Sequence, residues 1–261
     1  MNKGLKGFIK SVLRRCNIAV IRHETLLSLE ESRSAISDLE FIRALPAEYV
    51  APALAVLRES KSQLRQDLFV LSETGFKENG YFVEFGATNG VNLSNSYLLE
   101  KCFGWSGILA EPAKVWHDSL RRRRGVHVET RCVWSESGSI LKFNEVENAE
   151  LSTVHAFSDS DTRRRERNIG RFYDVETISL NDLLRKFNAP KVIDYLSIDT
   201  EGSEFSILKN FDFNAHQFNV ITCEHNYTPA REEIYRLLSG NGYVRKFEQL
   251  SKFDDWYIKA G

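Results

Sequence analysis

The stretch YFVEFGATNGVNLSNS, residues 81–96, decides how the rest of the chain is read. Tyr81 to Phe85 is a short, mostly apolar run that carries an acid at Glu84. Gly86 and Gly90 follow it, with Ala87, Thr88 and Asn89 between them. Such a run ending in glycine predicts a buried strand that stops at a tight turn. Gly86 frees the backbone to turn and leaves space for a ligand to lie against it. Gly90 is expected to let a helix start close to the sheet. The spacing is G-x-x-x-G, so the dinucleotide pattern G-x-G-x-x-G is not met. A pyrophosphate prefers unopposed amides at a helix N-terminus, and Glu84 opposes it. A cationic ligand is welcome there.

Working outward, apolar runs alternate with helical segments. WSGILAEP (105–112) predicts a second strand, closed by Pro112. VHVETRCVW (126–134) predicts a third, KVIDYLSIDTEGSE (191–204) a fourth with a polar end, and FNVITCEHN (218–226) a fifth. SNSYLLEKCF and AKVWHDSLRRRR read as intervening helices. Leu180, Leu183, Leu184 and Phe187 form another helical stripe. SGSILKFNEV reads as an extra strand or hairpin arm. The C-terminal segment predicts a helix and then two closing strands joined by the short link SKFDD. Strands separated by helices imply crossovers and a mostly parallel sheet covered on both faces. The short last link implies an antiparallel final strand.

In open α/β sheets, ligands bind beyond the carboxyl ends of the strands. That rule selects Glu84, Gly86 and Gly90 after the first strand, and Glu111 after the second. It selects Trp134 and Ser135 after the third, Asp199 and Glu201 after the fourth, and Glu224, His225 and Asn226 after the fifth. Acids at four of five strand ends predict a pocket rather than a solvated edge. Glu111 suits a ribose diol, because a carboxylate accepts two hydroxyl protons.

These residues resemble the FkbM-type methyltransferases. The likeness runs from about residue 62 to the end and rests on SQLRQDLFVL, GYFVEFGATNGVNLSNSYLLEK, GWSGILAEP, DYLSIDTEGSEFSILKNFDF and EHN. The resemblance implies a Rossmann-like seven-stranded methyltransferase sheet, S-adenosyl-L-methionine as cofactor, and O-methylation of a sugar or related natural product. It puts cofactor contacts at Gln66, Asp67, Glu84, Gly86, Asn95, Glu111 and Asp199. Ala87, Asn89, Gly90, Pro112, Trp134 and Ser135 complete the expected cofactor set.

A hydroxyl becomes a competent nucleophile as its proton leaves, so a base is expected at the rim. His225 is the first candidate, since imidazole titrates near neutral pH. Asp199 is the second, with Glu201 and Glu224 beside it. Asp199, Glu201, Glu204 and Glu224 also offer oxygens to a divalent metal. That option is weighed but not favoured, because Glu204 can simply favour the start of the next helix. A non-catalytic binding protein that kept the fold is the alternative function. A nicotinamide-dependent oxidoreductase is disfavoured by the missing glycine pattern.

The chain has 261 residues and a formal charge of −1, which gives no basic footprint for nucleic acid. Its four cysteines form no C-x-x-C and fit reduced thiols in a cytoplasmic setting. No apolar run approaches the ~18 residues that span a bilayer. Leu5, Phe8, Ile9, Val12 and Leu13 share a helical face opposite Lys3, Lys6, Lys10, Arg14 and Arg15. Residues 3–15 therefore offer a peripheral contact at the inner membrane face, or packing on protein. Residues 1–60 are read as an N-terminal helical extension and 61–261 as the methyltransferase domain. The run Arg163, Arg164, Arg165 and Arg167 reads as a solvated face, within an insert that is the choice for an acceptor lid. The acceptor partner is a glycan or small-molecule hydroxyl, and oligomeric state is not legible.

Overall fold

The computed structural model describes residues 15–16, 22–157, 167 and 169–261. Residues 3–14 of the basic segment, and Arg163, Arg164 and Arg165, lie outside the described residues. The chain divides into two compact units, Met1–Phe41 and Ile42–Gly261. Most of helix α1 (His23–Ala44) falls in the first. The second contains α2 (Ala47–Val56) and everything after it.

In chain order the second unit continues with α3 (Gln66–Glu73), β1 (Tyr81–Phe85), α4 (Tyr97–Phe103), β2 (Ser106–Ala110), α5 (His117–Arg123), β3 (His127–Glu129) and β4 (Cys132–Trp134). Then come β5 (Ile140–Val146), β6 (Thr153–Val154), β7 (Gly170–Ser179), α6 (Leu180–Lys186), β8 (Val192–Ile198) and α7 (Glu204–Lys209). The chain ends with β9 (Gln217–Glu224), α8 (Ala230–Gly240), β10 (Tyr243–Lys246), α9 (Glu248–Ser251) and β11 (Asp254–Lys259).

The main sheet has seven strands in the order β10-β11-β9-β8-β1-β2-β3. The β1, β2, β3, β8 and β9 strands pair in parallel, while β11 runs antiparallel to both neighbours. The expected mostly parallel sheet with a reversed last strand is what forms. Its centre is apolar on both faces, as a covered parallel sheet requires. Val83, Phe85, Ile108, Leu196, Ile198 and Ile221 are all essentially buried. The α6 stripe packs against it: Leu180, Leu183 and Leu184 are buried at i, i+3 and i+4, and Phe187 is partly so. Ser179 caps that helix by accepting from the Asp182 N–H at 3.1 Å.

VHVETRCVW does not make one strand. The chain turns at Thr130 and Arg131, and β4 leaves the main sheet to pair with β7 in a second sheet ordered β4-β7-β5-β6. The β5 arm pairs antiparallel with β7 from Ile140↔Glu176 to Val146↔Gly170, as a hairpin arm should. This second sheet has its own small core around Phe143, Val154, Val175 and Cys132.

Candidate functional site

Strand register builds the rim. Phe85 pairs with both Ala110 and Ile198, and Ile198 pairs with Cys223. One residue further along each strand therefore lie Gly86, Glu111, Asp199 and Glu224. Because β11 is reversed, its first residue, Asp254, arrives at the same edge opposite Glu224. Asn148 to Ser152 and Val154, from the second sheet and its loop, stand on the other side of the space. A cavity of about 230 Å³ lies between them.

Gly86 sits at φ +74°, and a Cβ there would fall 1.9 Å from the Asp199 carbonyl oxygen. Only glycine allows this close meeting of the β1 and β8 ends. Gly90 is at φ +80° and packs on Leu120 and Arg124, but no helix begins there. The chain instead loops to Ser96 before α4 starts at Tyr97.

Glu84 organises that loop. Its Oε1 accepts from the Asn95 N–H at 2.8 Å, and Oε2 accepts from Ser94 Oγ at 3.1 Å and from Ser96 Oγ. Arg124, fully buried, donates to Ser94 Oγ, Ser96 Oγ and the Gly90 carbonyl, and pairs with Glu100. The run Arg121–Arg124 reads as a basic helix end, yet its last member clamps the loop from behind.

Glu111 is also engaged: Thr88 N–H donates to Oε2 at 2.8 Å and Ala113 N–H to Oε1 at 2.7 Å. Burial nonetheless pushes its carboxyl up to about 7. Ala110, Pro112, Cys132 and Val133 form an apolar wall beside it. Burial pushes the Cys132 thiol up to about 12, so it is an inert wall residue.

At the other end, Asp199 and Glu224 are in hydrogen-bonding contact. Burial, reinforced by the carboxylates of Glu204, Asp254 and Glu84, pushes Asp199 up to about 7. Burial and the charges of Asp199, Glu201 and Glu204 push Glu224 up as well. Two carboxyls so placed hold one proton between them. Glu201 takes a left-handed turn at φ +58°, and Arg167 Nη2 donates to its Oε2 at 2.6 Å. Glu204 faces the other way: its Oε1 accepts from Thr200 N–H, Thr200 Oγ1 and Gly202 N–H at the start of α7. It is the helix-start residue of the plain reading, outside the cluster formed by Asp199, Glu201 and Glu224.

The structure brings Gln66, Glu84, Gly86, Asn95, Glu111, Pro112, Asp199, Glu201 and Glu224 together on the cavity. Ala87, Asn89 and Gly90 shape the turn behind it. Asp67 is buried away from the space, where its Oδ1 accepts from Ser60 and Ser62 at 2.7 and 2.5 Å. Trp134 and Ser135 are displaced with β4 into the second sheet, and Trp134 packs on Phe157. Cys132 and Val133 line the cavity in their stead. His225 is turned off the rim, because strand alternation sends its ring to the opposite side from Glu224. Its Nδ1 accepts from the Tyr227 N–H at 3.0 Å and its Nε2 faces Asp255 at 3.7 Å. Burial lowers its pKa. The ring does not line the cavity. The strand-end rule does not reach Asp254, because it inspects only where strands stop and Asp254 begins one.

Three buried acceptors on the cavity find no donor: Asn95 Oδ1, Glu224 Oε2 and Asp254 Oδ1. Such atoms are costly unless a ligand answers them. A ligand carrying ammonium or hydroxyl donors supplies partners of the right kind. The apolar wall suits a flat ring.

A seven-stranded sheet with one reversed strand, a glycine turn after β1 and an acid after β2 defines the Rossmann-like, S-adenosylmethionine-dependent methyltransferase class. The family model described as Methyltransferase FkbM domain matches residues 84–247. The chain belongs to the FkbM methyltransferase family. No curated protein matches the chain. Among solved structures, it is similar to a SAM dependent methyltransferase from Aquifex aeolicus at 12% identity, covering 78% of this chain and 96% of that one with a TM-score of 0.35. It is also similar to the METTL16 MTase domain at 10% identity, covering 73% and 63% of the two chains with a TM-score of 0.39. Membership rests on the family match.

Proposed function

We propose that the protein is an O-methyltransferase that methylates a hydroxyl of a sugar, in a glycan, glycolipid or small molecule. The observation that carries this reading is the hydrogen-bonded Asp199–Glu224 carboxyl pair, which stands at the cavity where β8 and β9 end. In its ionised state the pair can take the proton of an acceptor hydroxyl. Bound S-adenosylmethionine supplies an electrophilic methyl group on a sulfonium, which leaves as a neutral thioether. The chain's own residues divide the remaining tasks. Glu111 and the wall of Pro112, Cys132 and Val133 would hold the ribose and adenine. Gly86 would let the ligand lie against the backbone. Glu84 and Arg124 keep the loop through Asn95 in place. Residues 148–152 exclude water from the opposite side, and alignment within this space supplies much of the acceleration.

A second reading has a specific observation behind it. Asp199, Glu201 and Glu224 offer oxygens within 4.8 Å of one another, a spacing a divalent ion could use. Arg167 already neutralises Glu201, which favours the metal-free reading. We place the protein in the cytoplasm, with residues 3–15 as a peripheral membrane contact; among the described residues no helix is long and apolar enough to cross a membrane. The test is incubation with isotope-labelled S-adenosylmethionine and a panel of saccharides, with and without EDTA. A methyl ether on a sugar oxygen, unaffected by EDTA, is expected. Methylation of nitrogen only, or of nothing in a protein that binds the cofactor, would reject the reading.

A further inference from the structure

Among the described residues, the edge of the cavity where β9 and β11 meet is built from carboxylates with no cation among them. Glu224 closes β9 and Asp254 opens β11, and the antiparallel register sets them directly opposite each other. Cross-strand neighbours on one face lie about 5 Å apart, and like charges so placed repel. Asp254 is only 4% exposed. Its Oδ2 accepts from Gln66 Nε2 at 3.0 Å and from Trp256 Nε1 at 3.1 Å, while Oδ1 has no donor. Glu224 Oε2 finds none either, apart from the proton its carboxyl shares with Asp199.

The described residues around the cavity include no lysine, arginine or histidine, against seven acids: Glu84, Glu111, Glu150, Asp199, Glu201, Glu224 and Asp254. Glu84 and Glu111 are answered by loop and backbone donors, and Glu201 by Arg167 from behind. Glu150 is partly open to solvent. Asp199, Glu224 and Asp254 remain. The Asp199–Glu224 pair, sharing one proton, and an ionised Asp254 carry about two negative charges, and the cofactor, with two positive centres and a carboxylate, brings a net charge of about one, so one negative charge is left over. A divalent ion at Asp199, Glu201 and Glu224 would have to meet the guanidinium on Glu201, and would leave Asp254 Oδ1 unanswered.

We propose that the acceptor is a cationic hydroxyl compound, a sugar or polyol bearing a protonated amine, whose ammonium sits between Asp254 and Glu224 while a neighbouring hydroxyl faces Asp199. This rests on the hydroxyl-methylation reading above and narrows its substrate class. An ammonium brings three donors and no acceptor, which matches orphan oxygens on two facing strands. Phosphorylated or uronic sugars would meet uncompensated carboxylates and are expected to bind more weakly. The raised carboxyls of Asp254 and Asp199 agree with a site that has no cation among the described residues.

The test is titration calorimetry on the full chain saturated with S-adenosylhomocysteine, near neutral pH. The probes are methyl glucosaminide, its N-acetyl form, methyl glucoside and glucose 6-phosphate. The glucosaminide is expected to bind at least roughly tenfold tighter than each of the others. Asp254→Asn and, separately, Glu224→Gln should bring it down to the glucoside level while the affinity for S-adenosylhomocysteine stays within about threefold. Equal affinities, binding of none of the probes, or preference for the neutral or phosphorylated sugar would overturn the proposal. So would magnesium-dependent binding of the glucoside, or loss of S-adenosylhomocysteine binding in Asp254→Asn, which would assign Asp254 to the cofactor. Failure of the wild-type chain to bind S-adenosylhomocysteine at all would instead remove the methyltransferase reading beneath it.

Discussion

Arg167 Nη2 stands 2.6 Å from Glu201 Oε2, and Arg167 Nε donates to the Leu151 carbonyl at 2.9 Å. One buried guanidinium thus ties the β8 end of the rim to the loop facing it. Breaking a buried pair by removing one partner costs about 3–5 kcal/mol, because the other charge is left uncompensated. Arg167→Met is expected to lose stability of that order in urea unfolding, while Arg167→Lys retains more of it. In Arg167→Met the unneutralised Glu201 should also move the pH–rate profile upward. An unchanged midpoint and profile would show the pair to be idle.

Asp199 is held at about 7 and shares a proton with Glu224, so the pair titrates as one unit. Its base form exists above that pH. The account expects kcat/KM to rise with pH and level off above about 7. Glu224→Gln should displace the midpoint downward by removing a neighbouring charge. A flat profile from acid to neutral pH would contradict the assignment.

The same buried carboxyls make stability depend on pH. Glu111, Asp199 and Asp254 each have folded values of about 7, above their unfolded ones. Groups raised in the folded state contribute stability at low pH that is lost as pH climbs through the folded value. Between pH 6 and pH 8 each contributes a loss on the order of 1 kcal/mol. Glu129 acts oppositely: with its carboxyl held at about 2 by Arg131 and Lys186, its contribution disappears in acid. Differential scanning calorimetry without ligand should show a maximum in Tm between these regimes and a fall from pH 6 to 8. Asp254→Asn should flatten that fall. A Tm rising across this interval would contradict the burial argument.

Gly86→Ala forces a Cβ to within 1.9 Å of the Asp199 carbonyl at a φ of +74°. Neither contact nor backbone can relax without parting β1 from β8. A loss of about 2 kcal/mol or more is expected in denaturant, with S-adenosylmethionine binding lost together. Wild-type stability and affinity would remove the close approach from the account.

Sequence logic reached the rim where the physics is local. The β1, β2, β8 and β9 strands are apolar runs buried on both faces, so each ends where glycine or an acid appears. It failed where a change of direction carries no residue signal. The mostly apolar run of 126–134 carries Glu129, Thr130 and Arg131 at its middle, with no glycine or proline to mark that the chain changes sheets there. Asp254 enters the rim by its strand's first residue, visible only once the strand's reversal is combined with its register. His225 follows Glu224 in the chain, yet alternation points it to Asp255. Arg124 belongs to a run that reads as a basic helix end and Arg167 to one that reads as solvated, and tertiary packing alone singles each out.

The central claim is that Asp199 and Glu224, not His225, handle the acceptor proton. The direct measurement is single-turnover methyl transfer from labelled S-adenosylmethionine in Asp199→Asn and His225→Gln, with cofactor affinity measured alongside. The account predicts that Asp199→Asn loses about 10²-fold or more in rate while still binding cofactor, and that His225→Gln stays within about threefold of wild type. Near-normal transfer by Asp199→Asn, or collapse in a folded His225→Gln that binds cofactor, would contradict it.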